Sequence, residues 1–171
     1  MTKKITTLAM FAVLMVIGGY FLYFISRLLP IPGGKFIVMG PYLTCVMILP
    51  LLRYPKFGTL SMINVVFGGI MVIFNPWMTL AIIVSGILAD LILLIPLQGK
   101  GKLLLAMGVY NGVSLLVSVW ITNYVTGKLL FKIMDMPVLL LAFSVAVITG
   151  IIGGYAGLKL QKTYLKLDKS M

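Results

Sequence analysis

Asp90 lies in "SGILADLILLIP" (residues 85–96), where alanine, leucine and isoleucine surround one of only three acidic residues in the chain. A carboxylate in such a setting has three uses: contact with a ligand, carriage of a proton, or a latch between helices. Acid–base catalysis needs a second titratable group within reach. The sequence offers no histidine, no glutamate and a single cysteine, Cys45. A Cys/His dyad, a metal cluster and a disulfide framework are therefore excluded within the chain, and nothing in it calls for a cofactor. Cys45 reads as a small apolar filler. An intramembrane enzyme and a proton-coupled carrier are both poorly served by a lone deep carboxylate.

What positions Asp90 follows from composition. Of 171 residues, 61% are hydrophobic and 10% charged. A water-soluble domain of this size cannot hide so much apolar surface, so lipid must solvate most of the chain. A net charge of +11 would suggest nucleic acid in a soluble protein. Here the cations fall at the ends of apolar runs, where they set membrane orientation instead. The N-terminal "MTKKITTLAMFAVLMVIGGYFLYFI" has a basic start like a signal peptide, but its run is too long and no small-residue cleavage site follows. It reads as a first span.

At about 20 residues per crossing, six spans fit, at 5–26, 37–52, 57–74, 77–96, 103–126 and 136–159. They are punctuated by "RLLPIPGGK" (27–35), "RYPK" (53–56), "NP" (75–76), "PLQGKGK" (96–102) and "TGKLLFKIMDMP" (126–137). The second span is short, with Pro41 and Pro50 near its ends. Lys3, Lys4, Arg53, Lys56, Lys100, Lys102, Lys159, Lys162, Lys166 and Lys169 fall on one side; Arg27, Lys35, Lys128 and Lys132 fall on the other. The positive-inside rule then gives an all-α integral membrane protein, a bundle of six transmembrane helices with both termini in the cytoplasm. No internal repeat is evident, and no room is left for a soluble nucleotide-binding domain. Any energised process must draw on a partner or an ion gradient.

Small residues mark the packing seams, because helices in lipid associate where backbones approach closely. Ala142, Ala146, Gly150 and Gly154 recur every four residues in the last span, with Gly153 and Gly157 as a second pair. Ala81, Ser85 and Ala89 follow one another in the fourth span, and Gly108 and Gly112 in the fifth. These stripes serve either packing within the bundle or docking on a partner subunit.

Direction assigns depth. At 1.5 Å per residue, Asn64, Asp90 and Asn111 each lie about 10 Å from the cytoplasmic end. They form one polar layer, in which the two amides are expected to donate to the Asp90 carboxylate. A partner interface and direct ligand or proton work are the other roles open to this trio. The outer layer holds Tyr20, Tyr23, Lys35, Tyr42, Asn75, Trp77, Trp120, Asn123 and Tyr124. Its aromatics suit either an interfacial belt or a small-molecule pocket, with the two amides orienting a flat ring and Lys35 meeting a negative group. The segment "LPIPGGK" (29–35) suits a mobile lid.

Three stretches carry a family resemblance: "YPKFGTLSMINVVFGGIM" (54–71), "TLAIIVSGILADLI" (79–92) with its Gly-x-x-Ala-Asp ending, and "GKGKLLLAMGVYNGVSLLVSVWITNY" (99–124). Over about residues 1–165 the chain resembles the S components of energy-coupling factor (ECF) transporters, closest to the Trep_Strep-type branch. The resemblance implies a multi-pass protein of the bacterial cytoplasmic membrane that captures a vitamin-like micronutrient at the external face. It further implies docking on a transmembrane T component coupled to two cytoplasmic ATPases, and delivery by toppling of the whole S component in the bilayer. Many S components meet the T component through Ala-x-x-x-Ala in the first span; here the spacing is Ala9-x-x-Ala12. The competing expectation is a membrane scaffold or regulatory subunit that binds no solute.

Overall fold

The computed structural model describes residues 2–26, 34–73, 75–96, 99–125, 127 and 135–168, with the side chains of 2–4, 34–36 and 163–168 outside that description. These residues form six helices and no strand: α1 (Thr2–Ser26), α2 (Gly34–Arg53), α3 (Thr59–Met71), α4 (Pro76–Ile92), α5 (Lys100–Val125) and α6 (Met136–Asp168). Stretches long and apolar enough to cross a membrane occur in α1 (Ile5–Ser26), α5 (Lys100–Val125) and α6 (Met136–Lys162). That marks a membrane protein. Its flanks agree: Met10, Ile17, Phe24, Val65, Leu91, Ile148 and Ile152 are all exposed. A continuous apolar surface of this kind has no stable place in water.

The third and fourth helices are shorter than the expected 57–74 and 77–96. Gly58, at φ 89°, holds the left-handed conformation that begins α3, and the helix gives way to a turn after Met71. Only glycine takes this backbone geometry without cost. Asn75 opens α4: its Oδ1 accepts from the backbone N–H of Trp77 (3.0 Å) and Met78 (3.3 Å), and Pro76 occupies the first helical position. Both features stop α3 and restart α4 within a few residues.

The helices close into a ring in the order α1, α2, α6, α5, α4, α3 and back to α1, with α2 also reaching α3 and α5. Contacts show their directions. The Tyr42 hydroxyl of α2 meets the Leu14 carbonyl of α1, while Met39 shares a cavity wall with Gly19 and Tyr23, so that pair is antiparallel. Gly153 meets Pro41 while Gly157 meets Cys45, so α6 runs parallel to α2. Alternation of direction along the chain brings Arg53, Lys56, Lys100, Lys102, Lys159 and Lys162 to one end, called the basic end below.

Close approach at glycine holds the α2–α6–α5 side together. A Cβ at Gly153 would stand 2.2 Å from the Pro41 carbonyl oxygen, one at Gly157 2.6 Å from that of Cys45, and one at Gly150 2.7 Å from that of Met107. At these three positions the nearest neighbours of such a Cβ include backbone atoms of another helix. The small-residue stripes of the last span therefore serve packing inside the bundle, against two neighbours at once. The main core fills the basic half: Leu8, Ala12 and Met15 of α1 with Met47, Ile48 and Leu51 of α2, Leu60 and Ile63 of α3, Ala89 of α4, Met107 of α5 and Leu158 of α6. A separate small cluster, Leu115, Val119 and Ala146, joins α5 and α6 further along.

Candidate functional site

The basic end carries an apolar groove of about 280 Å³ between α1 and α3, lined by Ile5, Leu8, Ser61, Met62, Val65 and Val66; towards the other end lies a cavity of about 320 Å³. Gly19, Tyr20 and Tyr23 of α1, Met39 of α2, Phe67 and Met71 of α3, and Asn75 and Met78 at the head of α4 line it. Tyr23, Met39, Phe67 and Met78 also border a recess of about 50 Å³ that reaches Tyr110, Asn111, Ser114 and Ser118 of α5. Helical periodicity explains the selection. Phe67 and Met71 are four residues apart in α3, as are Tyr110, Ser114 and Ser118 in α5, so each set lies on one face of its helix; Asn75 joins them as the cap of α4.

Polar groups around the cavity divide into engaged and available. Tyr110 donates to Asn64 Oδ1 (3.0 Å), and Asn64 Nδ2 donates to the Leu60 carbonyl (2.8 Å). Asn111 Nδ2 donates to the Ala146 carbonyl (2.8 Å) and to Thr149 Oγ1 (3.1 Å), tying α5 to α6. Gly40 makes room for that amide, since a Cβ there would fall 2.2 Å from Nδ2. By contrast, Asn75 Nδ2 and the hydroxyls of Ser114 and Ser118 donate to no described residue. The cavity thus offers aromatic faces, thioethers, one amide N–H₂ and two hydroxyls. Among the described residues no His, Cys, Asp or Glu cluster suits a metal ion.

The predicted polar layer is divided rather than joined. Asp90 is fully buried, but its carboxylate accepts from the backbone N–H groups of Leu60 (3.2 Å) and Ser61 (2.7 Å) and from the Ser61 hydroxyl. Asn64 and Asn111 spend their amide donors on backbone carbonyls and on Thr149. Asp90 therefore joins α4 to the start of α3, and the expected bonds from Asn64 and Asn111 to its carboxylate are not formed. The first N–H groups of a helix lack intrahelical acceptors and carry partial positive charge. They meet an anion better than neutral amides do.

Of the residues expected at a ligand site, Tyr20 and Asn75 line the cavity. Tyr42 sits beside it, where its ring covers Gly18 and its hydroxyl donates to the Leu14 carbonyl at 2.7 Å, fastening α2 to α1. Trp77 is exposed on the first turn of α4. Trp120 and Tyr124 stack with ring centroids 6.5 Å apart and are 64% and 72% exposed, on the outer face of α5. These three aromatics border neither the cavity nor its recess, so the belt reading suits them better than the pocket reading. Asn123 is buried in α5, also away from the lining. Lys35 begins α2 one turn before Met39, and its side chain lies outside the described residues. The lid segment (29–35) likewise falls mostly outside them. Ala12 is fully buried among Leu8 and Met15, which removes it from any partner-facing surface; Ala9 is half-buried.

Met39, Phe67, Met71, Met78, Ser114 and Ser118 went unrecognised in the sequence. The four-residue stripes carrying them were present, but an apolar stripe alone does not tell a cavity wall from a packed core. Comparison with protein-family models, with curated proteins and with solved structures finds no match to this chain.

Proposed function

We propose that this chain is the substrate-capture subunit, or S component, of an energy-coupling factor importer in a bacterial cytoplasmic membrane. In this reading the basic end faces the cytoplasm, all six helices span with both termini inside, and the cavity opens towards the external face. The observation that carries it is the asymmetry of the bundle. A ligand-sized cavity with aromatic, thioether and amide lining occupies the half opposite the cations, whereas the void of the basic half, about 280 Å³ between α1 and α3, is an almost wholly apolar groove. Pockets of this volume and lining suit small organic ligands. The short α3 and the cap at Asn75 form its floor and rim, and the resemblance over 54–71, 79–92 and 99–124 supplies the family.

In that role the subunit binds a vitamin-like solute outside and docks on a T component that couples it to two ATPases. Energy comes from those partners, in keeping with a chain that is almost entirely apolar helix. The test is affinity purification of the full chain from its native membrane, followed by mass spectrometry. Recovery of a second membrane subunit, two ATPases and a bound organic solute is expected. Repeated recovery of the chain with none of them would replace this reading with a scaffold that binds no ligand.

A further inference from the structure

The lining of the cavity also limits the chemistry of its occupant. We infer that it takes an uncharged planar compound of one or two fused rings with a hydrogen-bonding edge, and selects against carboxylate or ammonium groups on the same ring. This rests on the cavity being the capture site.

Three observations lead there. First, the walls are π faces and thioethers: Tyr20, Tyr23 and Phe67 with Met39, Met71 and Met78. Polarizable sulfur and aromatic faces together favour a flat ring over a flexible chain. Second, no charged side chain lines either the cavity or the recess among the described residues. An ion that loses water there without gaining a counter-charge binds much more weakly than a neutral isostere. Third, the unengaged polar groups are few and neutral. Ser114 and Ser118 lie one turn apart in the recess, and Asn75 Nδ2 lies at the opposite side of the cavity beside α4. They suit carbonyl or ring-nitrogen acceptors at the ligand edges. About 320 Å³ is near the lower limit for ligand pockets and matches a small ring system better than a large conjugate.

The experiment uses the full chain in lipid nanodiscs and three probes on one ring: naphthalene-2-carboxamide, naphthalene-2-carboxylate and 2-(aminomethyl)naphthalene. Binding is followed by calorimetry. The amide is expected to bind saturably, and each charged probe at least tenfold more weakly. Met78→Trp, which fills both cavity and recess, is expected to abolish binding while thermal unfolding shows the fold retained. Asn75→Asp keeps an equally good helix cap and adds a negative charge at the rim. It is expected to reverse the order, with the aminomethyl probe at least tenfold tighter than the amide.

Equal or tighter binding of a charged probe to the unaltered chain would overturn the inference. So would indifference to Met78→Trp, or no binding of any probe. Preference for the carboxylate would assign Lys35 as the counter-charge, and its loss in Lys35→Gln would show that. A charged preference overturns the ligand class yet leaves capture standing. Amide binding by a chain that recovers no energising subunit does the reverse.

Discussion

Asp90 of α4 accepts the backbone N–H of Ser61, the third residue of α3, at 2.7 Å, and so caps a helix to which it does not belong. Gly58, at the N-cap of α3, has no side chain to do this and makes no side-chain cap bond. The neighbouring helix supplies the acceptor. The arrangement serves twice: it satisfies N–H groups that the helix leaves without intrahelical acceptors, and it gives a buried carboxylate a positive helix end to face.

Asp90→Ala is therefore expected to destabilise the bundle by about 2–4 kcal/mol, since it strands two buried N–H groups and removes a cap. Asp90→Asn keeps one acceptor and is expected to cost about half as much. Ser61→Ala should cost little in the Asp90→Ala background, because its partner is already gone. Thermal unfolding in detergent measures all three. Binding of the naphthalene amide by Asp90→Asn is expected to match that of the unaltered chain, because Asp90 does not line the cavity. A loss of binding with the fold intact would return Asp90 to the ligand site.

Tyr110→Phe tests the second polar pair. Asn64 Oδ1 loses the Tyr110 hydroxyl inside the bundle, at an expected cost of about 1–3 kcal/mol. Tyr110 also borders the recess, so the same variant is expected to alter ligand affinity. Asn64→Leu, which removes the acceptor but does not line the cavity, separates the two effects by calorimetry.

Two glycine substitutions predict opposite outcomes from one chemical change. Gly153→Ala drives a methyl group into the Pro41 carbonyl and is expected to cost about 1–3 kcal/mol or prevent folding. Gly69→Ala meets nothing within 4 Å and lies inside α3. It is expected to be neutral, or stabilising by up to about 1 kcal/mol. Comparing their melting temperatures checks both.

Substitutions of aromatic residues distinguish wall from periphery. Trp120→Phe and Tyr124→Phe are expected to leave amide binding unchanged, whereas Phe67→Ala and Tyr23→Ala each weaken it at least tenfold. Calorimetry on the four variants, with circular dichroism as a fold check, measures the contrast.

These contrasts show how far the sequence could be read. Punctuation was legible where it has local chemistry: the cap and proline at Asn75-Pro76 fixed the start of α4 to within a residue of the expected 77. Position along the bundle was legible from chain direction, and Tyr20 and Asn75 do fall at one cavity. Azimuth was not. Ser118 and Trp120 are adjacent in depth, yet two residues on a helix point to nearly opposite sides, at about 100° per residue. Hydropathy does not show which side faces inward when both neighbours and solvent are apolar. The partner of Asp90 was hidden for another reason. Backbone N–H groups belong to every residue, so an acceptor that serves them leaves no pairing signal in side-chain types.

The glycine contacts of α6 have a mechanical consequence. Backbone atoms have no rotamers with which to absorb a displacement, so α2, α5 and α6 behave as one stiff plate joined at Gly150, Gly153 and Gly157. The other three helices are fastened through side chains, which yield. Met39, Ser114 and Ser118 line the plate side of the void, and Tyr20, Tyr23, Phe67, Met71, Asn75 and Met78 line the compliant side. An occupant therefore acts as a wedge across two bodies of unequal stiffness. On the capture reading, that pressure falls on α1, α3 and α4, the helices outside the glycine seam.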